Sequence, residues 1–485
     1  MTALDILNVY IQFFEKRDHK RIENSSLVPQ NDPTTLFTSS GMQPIIKYLL
    51  GQPHPEGKRL VNVQNCFRAQ DIDEIGDNRH TTFFRMLGNW SLGDYFKSEE
   101  IPWFWEFLVS ELKLDPKRLY VSVFEGYKNI ERDEESVEIW KELFKKAGIE
   151  SEGRIFYCGV NDNWWSRSGT PDDMPEGEPG GPDTEVYFDF RPEERKVEDL
   201  EHEVKSGRLL EIGNSVFMTY QKKNGSFVEL PQKNVDFGGG LERLVAATED
   251  QPDIFKTSLF KDIITSIRES TGLAVEYGRT ITQDHYPSGH EGQVLHEQKD
   301  DERFRKVGET STRIIADHIT AATFIIANGV VPSNKAQGYI LRRLIRRSML
   351  RARDLGVQNN FIKHVVEKVI SSYRNTDPYL EDKKQEIIDI IESEENKFRA
   401  TLDEGLKEFE KYITAGFVDK PETTKKMLDS KTIFKLYETF GFPYELSKEE
   451  GEKRGIEIPS KEEFDIELQE HQQKSREGAK KKFNN

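Results

Sequence analysis

Cysteine is nearly absent: Cys66 and Cys158 are the two thiols in 485 residues. A pair cannot build a disulfide framework or a four-cysteine zinc site, so no protein-bound zinc is expected. Long apolar runs are missing as well. The most apolar stretch, Ile319 to Val331, is interrupted by Thr320, Thr323 and Asn328, which excludes a membrane-spanning helix of about 20 apolar residues. The opening Met1-Thr-Ala-Leu-Asp5 has neither a basic nor an apolar leader character, and a soluble, cytoplasmic protein with no membrane partner is expected. Positive charge is in deficit too, because 69 Lys and Arg face 86 Asp and Glu for a net charge of −17. Most of this surface would repel a phosphate backbone, so a polyanion would have to meet a local basic patch. Leu341 to Arg353 supplies one, with six arginines among apolar residues at helical spacing.

What remains is ample for folding. Apolar residues make up 35% and aromatics 11%, enough to bury cores, and the length calls for several units of about 100 to 200 residues each. Leu7, Tyr10, Ile11 and Phe14 form the stripe of an amphipathic helix used for packing. From Leu27 to about Leu244 short β-prone runs dominate, among them Leu119–Phe124, Glu185–Phe190, Ser215–Tyr220 and Ser226–Leu230. Ser166 to Thr184, dense in Pro and Gly, predicts a long irregular loop. Beyond Ile254 amphipathic helical patterns take over at 312–327, 339–355, 361–373 and 380–412. The polar interval 277–308 predicts a mobile excursion, and the charged tail 462–485 predicts a helical extension that frays. The fold class expected is α+β: a largely antiparallel sheet flanked by helices over 1–250, then an all-α unit over 251–461.

Three separated constellations carry chemistry. The first is Ser25–Pro29 followed by Leu36–Gln43. The second is Cys66-Phe-Arg-Ala-Gln70 followed by Gly76 to Phe96. In it, Arg68 leaves a strand where a guanidinium can pair with phosphate and carboxylate together, and Phe84 can support a planar base. The third is Asn234-Val-Asp-Phe-Gly-Gly-Gly-Leu-Glu-Arg-Leu244. Its glycines permit close approach of a ligand to backbone, Asp236 can hold an ammonium group, and Arg243 on the first helical turn can face a nucleotide. This is not the G-x-G-x-x-G fingerprint and no βαβ unit surrounds it, which disfavours a dinucleotide fold.

In this order the three blocks resemble motifs 1, 2 and 3 of the class II aminoacyl-tRNA synthetases, specifically the alanine-specific family. Phe83 to Phe96 is similar to that family's motif 2, and Val330 to Arg347 to its helical signature. Phe434-Lys-Leu-Tyr-Glu-Thr-Phe-Gly-Phe-Pro443 is similar to a third. The resemblance implies activation of L-alanine by ATP with Mg²⁺ and transfer to the acceptor end of a tRNA for alanine. It implies that Arg68 grips the α-phosphate and the alanine carboxylate, that Phe84, Met86 and Arg243 surround adenine, and that Trp165 walls the side-chain pocket. Asn214 and Val216 would line the amino-acid site and, with Trp165, border the ATP. Asp236 would bind the α-ammonium, Gly238 and Gly240 would make room, and Glu211 would touch the magnesium. Catalysis would rest on Arg68, Asp236 and Arg243.

For RNA, the resemblance implies that Asn334 and Asp429, with Glu438 as the alternative to Asp429, read a G·U pair of the acceptor stem. Arg342, Arg343, Arg346 and Arg347, with Arg351 and Arg353, would meet backbone phosphate. There are departures. The segment after Arg68 is short and lacks the family's lysine, Thr81 stands where histidine is usual, and Gly213 stands where tryptophan is usual. Gly180-Gly-Pro-Asp183 replaces the family's paired cysteines. No editing or C-terminal region follows in these residues, so charging without proofreading in cis and a monomeric state are expected. Two other classes compete: a ligase loading an amino acid onto a carrier protein, and a noncatalytic tRNA-binding paralogue. The helical half argues against the first, and Arg68, Asp236 and Arg243 against the second.

Overall fold

The β-prone runs of the first half assemble into one sheet, in a computed structural model that describes residues 1–29, 35–270, 297–357, 360–415 and 427–469. The strands are β1 (Lys20–Arg21), β2 (Arg59–Phe67), β3 (Phe83–Leu92), β4 (Leu119–Phe124), β5 (Ile155–Cys158), β6 (Trp164–Ser166), β7 (Pro179–Asp189), β8 (Leu209–Lys223) and β9 (Ser226–Gly240). Their order is β1-β2-β3-β9-β8-β7-β4-β5, with β6 added on β7. The inner ladder from β2 to β4 is antiparallel, and the parallel pairs β1 with β2 and β4 with β5 lie at the edges. The class is α+β, as the sequence pattern predicts.

Helix α1 (Ala3–Glu15) precedes the strands, α2 (Ile46–Leu49), α3 (Lys97–Glu106), α4 (Glu134–Lys146) and α5 (Leu200–Lys205) run between them, and α6 (Leu241–Thr248) follows β9. Helix α1 begins where it does because Thr2 and Asp5 cap each other, Asp5 N–H donating to Thr2 Oγ1 and Thr2 N–H to Asp5 Oδ2. Its apolar stripe packs with α3, α4 and α6 on one sheet face, meeting Leu87, Val121, Ile212, Phe217, Val235 and Phe237. Because side chains alternate along a strand, the intervening residues Met86, Gly88, Trp90, Asn214, Val216, Asp236 and Gly238 share the other face. That face carries the candidate site.

After α6 come α7 (Lys261–Ser270), α8 (Glu297–Ala327), α9 (Ala336–Asp354), α10 (Ile362–Tyr373), α11 (Tyr379–Asp382), α12 (Lys384–Ala415), α13 (Ser430–Phe440) and α14 (Tyr444–Lys453). Their shared core extends into the first half through Leu27, Phe37, Phe67 and Phe83. The Phe83 ring stacks on Phe324 at 3.9 Å, so the sheet and the helical unit are welded where β3 begins. No helix among the described residues is long and apolar enough to cross a membrane.

Several local expectations need correction. Pro179 to Thr184 is strand rather than loop, because Pro182 sits against the edge strand β6 and the ladder shifts register between Gly180 and Asp183. Gly181 is required there, since a Cβ would lie 1.9 Å from the Phe217 carbonyl oxygen. The pattern over 380–412 divides at Lys383 into α11 and α12. Of the predicted excursion, residues 297–308 belong to α8 and 277–296 lie outside the described residues, as does 470–485 of the predicted tail.

Candidate functional site

Arg68 ends β2 at a point that draws all three sequence constellations together. Its Nε–H donates to the Ser39 carbonyl at 3.2 Å, its guanidinium lies 4.8 Å from the centre of the Phe84 ring, and its backbone N–H donates to the Thr82 carbonyl at 2.9 Å. Gly41 of the first constellation approaches Met86, with N–H to Sδ at 3.1 Å. Gly238 and Gly240 close the row from β9, where Met86 faces Gly240 and Gly88 faces Gly238 across the ladder. The resulting cleft is lined by Arg68, Phe84, Met86, Gly238, Gly240 and Arg243, together with Asp71, Arg79, His80 and Glu211.

Positive charge in the cleft comes from more than the expected pair. His80 lines it, and a 2.7 Å bond to Asp77 raises the imidazole pKa above its ordinary value. His80 adjoins Thr81, so an imidazole that binds its proton more readily than usual stands one residue away from the departure noted in sequence. Arg243 on the first turn of α6 donates to Glu211 Oε2 at 2.6 Å and to the Glu211 carbonyl at 3.2 Å. The ladder slips between Val186 and Tyr187, so that Glu211 faces Tyr187 while Gly213 faces Val186. This one-residue irregularity lets Glu211 and Asn214, three apart, share the site face. A Cβ at Gly213 would meet Phe104 at 2.4 Å, so the Phe104 ring occupies the space beside this glycine.

The second half of the site lies further along the same face. Asp236, 8% exposed, faces Trp90 on β3 and Val216 on β8. The Trp90 indole N–H donates to Asp236 Oδ1 at 2.7 Å. Burial pushes the Asp236 carboxyl up to about 7, against the opposing pull of that hydrogen bond. The Trp90 ring lies against Gly88, where a Cβ would come within 2.4 Å of it. Trp165, on β6 opposite Gly181, packs into the same small cluster as Trp90 and Val216. Asn214 Nδ2 donates to Glu185 Oε1 at 3.3 Å while its Oδ1 is a buried acceptor with no hydrogen-bond partner among the described residues. Burial and the charge of Glu211 push the Glu185 carboxyl well above its ordinary value.

Sequence reasoning gave no individual role to Trp90, Arg79, His80 or Glu185. Trp90 was findable, because it follows Phe84, Met86 and Gly88 at the two-residue period of the site face. Glu185 was not, since the sequence carries no sign of its burial.

The residues expected to meet RNA divide. Asn334, exposed before α9, accepts from Arg342 Nη1. Exposed Asp429 caps α13, its Oδ1 accepting from Thr432 N–H at 2.7 Å. Glu438 lies on the same helix. The arginines of α9 mostly turn inward, against expectation. Arg346 is 9% exposed and donates to Glu394 and the Gly441 carbonyl. Arg347, 5% exposed, reaches the Ile72 carbonyl, His318 and Glu449, and Arg351, 4% exposed, pairs with Glu449 and Asp354. Arg343 pairs with Asp73, and the more exposed Arg353 with Asp403. Carboxylates and carbonyls from distant segments surround α9, and the spacing of arginines alone cannot show them. In this structure Arg343, Arg346, Arg347 and Arg351 are thus held in ion pairs and hydrogen bonds within the chain.

The family described as tRNA synthetases class II (A) matches residues 5–485. An alanine–tRNA ligase of Borreliella afzelii is 41% identical over 488 residues, covering 100% of this chain and 74% of that protein. One of Treponema pallidum is 39% identical over 98% of this chain and 72% of its own length. One of Acetivibrio thermocellus is 36% identical over 98% of this chain and 48% of its own length.

Proposed function

The chain belongs to the class II tRNA synthetases, among the alanine–tRNA ligases, and on that premise we propose how its residues activate L-alanine and charge tRNA. The observation that carries the proposal is the arrangement on one sheet face. The buried Asp236 carboxyl, held by Trp90, lies beside Val216 and near Trp165, while Arg68 over Phe84 lies at the cleft edge.

In this reading the α-ammonium of alanine pairs with Asp236, and the free acceptor of Asn214 adds a second contact. Trp165 and Val216 enclose the methyl group, and Gly238 leaves space for backbone approach. Arg68 bridges the alanine carboxylate and the α-phosphate, which places nucleophile and phosphorus together and stabilises charge as pyrophosphate leaves. Adenine stacks on Phe84 between Met86 and Arg243, above Gly240. Among the described residues no group of three or more His, Cys, Asp or Glu side chains could hold a metal. In this reading a magnesium brought by the nucleotide phosphates is touched by Glu211, where it would neutralise phosphate charge.

Transfer to the 3′ adenosine needs an acceptor stem held by the helical unit. Asn334 and Asp429 are proposed to read a G·U pair, and Arg342, which donates to Asn334, to steady that contact. The pocket argument also bears on fidelity. Rejecting glycine can use only the lost methyl contact, worth about 1 kcal/mol, so these 485 residues assayed alone are expected to form some glycyl-tRNA and, through the Asp236 and Asn214 acceptors, some seryl-tRNA.

The test is charging of acceptor-stem RNAs carrying G·U or G·C, with alanine, glycine and serine each supplied. Alanylation confined to the G·U stem is expected. Adenylate formation without RNA charging would point to a carrier-protein ligase, and no adenylate at all to a noncatalytic paralogue.

A further inference from the structure

We infer that Asp317 of α8 is a positioning residue for ATP: it fixes Thr82 at the start of β3 and so sets Arg68 and Phe84 in register with the nucleotide. The inference rests on the reading of that cleft as an ATP site. Thr82 is fully buried and Asp317 is 1% exposed. The Thr82 N–H donates to Asp317 Oδ1 and its hydroxyl to Asp317 Oδ2, both at 2.7 Å. On its other side the Thr82 carbonyl accepts the Arg68 N–H at 2.9 Å. A single residue thus receives its orientation from the helical unit and passes it to the residue proposed to grip the α-phosphate. Phe84 follows two positions later, on β3.

Asp317 is itself held. His318 Nδ1 meets Asp317 Oδ2 at 2.8 Å, and Arg347 Nη1 meets His318 Nε2 at 2.9 Å. An arginine can only donate, so His318 carries its proton on Nδ1 and is neutral, in accord with burial lowering its pKa. Arg347 also donates to the Ile72 carbonyl at 2.7 Å and pairs with Glu449 of α14 at 2.9 Å. Arg313 of α8 donates to the Gly76 carbonyl at 3.2 Å. The segment between β2 and β3, which contributes Asp71, Arg79 and His80 to the cleft, is therefore clasped by α8 and α9. Buried hydrogen bonds to a charged acceptor are the strong ones, and their removal leaves unpaired groups in the interior.

The test is alanine-dependent ATP–pyrophosphate exchange without RNA, beside equilibrium ATP binding, for Asp317→Ala, Asp317→Asn, Thr82→Val and Thr82→Ser. Loss of the charged acceptor in Asp317→Ala is expected to raise the KM for ATP about tenfold or more, leaving the KM for alanine near the parent value. Thr82→Val, which removes one donor and keeps the volume, should give a smaller shift of the same selectivity. Thr82→Ser restores the donor and should return the parent value. An unchanged KM for ATP in both Thr82→Val and Asp317→Asn would overturn the inference. So would a parallel rise of both KM values with a lowered melting temperature, because that marks a structural role alone. If Asp317→Ala fails to fold, the two Thr82 variants still decide. Weakened ATP binding in the variants, with no alanine-dependent exchange by the parent protein, would uphold the positioning role while overturning the amino-acid reading.

Discussion

Replacing Asp236 with asparagine should make the protein more stable and less active, with a pH dependence that identifies the cause. Asp236 has an ordinary carboxyl value of 3.8 and a folded value of about 7. The folded state thus binds this proton more tightly than the unfolded chain. By linkage, stability is greatest below about 4, falls as pH rises from about 4 to about 7, and is flat above. Three units correspond to about 4 kcal/mol of destabilisation at pH 8, and somewhat more than one unit to between about 1 and 2 kcal/mol at pH 5. Asp236→Asn keeps an oxygen to accept from Trp90 but has no charge to bury. Its stability advantage over the parent should therefore grow by about 3 kcal/mol between pH 5 and pH 8. Urea midpoints of both proteins across that range measure the gap, and every group common to the two cancels. A gap that stays constant with pH, or a parent that is the more stable at pH 8, would refute the assignment of a costly buried carboxylate. In the exchange assay, the parent's KM for alanine should rise as pH falls below 7, as Asp236 loses the charge that attracts the ammonium, and the variant should lose alanine-dependent exchange throughout.

His80 holds its proton more readily than usual because of Asp77, so the KM for ATP should rise as pH is taken above neutral, and His80→Gln should raise the low-pH KM and flatten that limb. Arg346→Ala leaves the buried Glu394 paired with Arg342 and should cost about 2 to 3 kcal/mol of stability, whereas Arg342→Ala should lower RNA charging while sparing ATP–pyrophosphate exchange. A melting temperature unchanged in the first, or exchange lost in the second, would reverse those assignments. Gly181→Ala forces a methyl group against the Phe217 carbonyl and should destabilise by about 3 kcal/mol, read as a lowered melting temperature; a protein as stable as the parent would show that β7 and β8 can separate there at little cost.

The parts of the fold that could be read from the sequence were those governed by local periodicity. Runs of β-prone residues marked Leu119–Phe124 and Ser215–Tyr220 as strand, and three- and four-residue spacing marked α1, α9 and α10. The site motifs were legible because their residues come in contiguous blocks: Arg68 and Phe84 flank one hairpin, and Asp236 to Arg243 one strand end. Reading failed where partners lie far away in sequence. The α9 arginines looked like an exposed basic stripe because Glu394, Glu449 and Ile72 are invisible from α9 itself. Pro179 to Thr184 looked irregular because nothing local announces a bulged strand edged by β6. The raised pKa values of Glu185 and Asp236 come from burial, which no single sequence position discloses.

The hydrogen bonds from Thr82 to Asp317 span 235 residues, and that span has a meaning in time. A chain synthesised from its N-terminus at about 5 to 20 residues per second leaves Thr82 and Phe83 waiting roughly 10 to 50 s for the helix that receives them. During that interval the sheet can pair its strands and pack α1 and α6, but the Phe83 ring has no Phe324 to stack on, and the turn after Arg68 has no α8 or α9 to clasp it. The nucleotide cleft is thus among the last parts of the first half to be finished, although its residues are among the first to leave the ribosome. A nascent chain stalled before α8 would expose an aromatic seam suited to a chaperone while lacking a competent activation site.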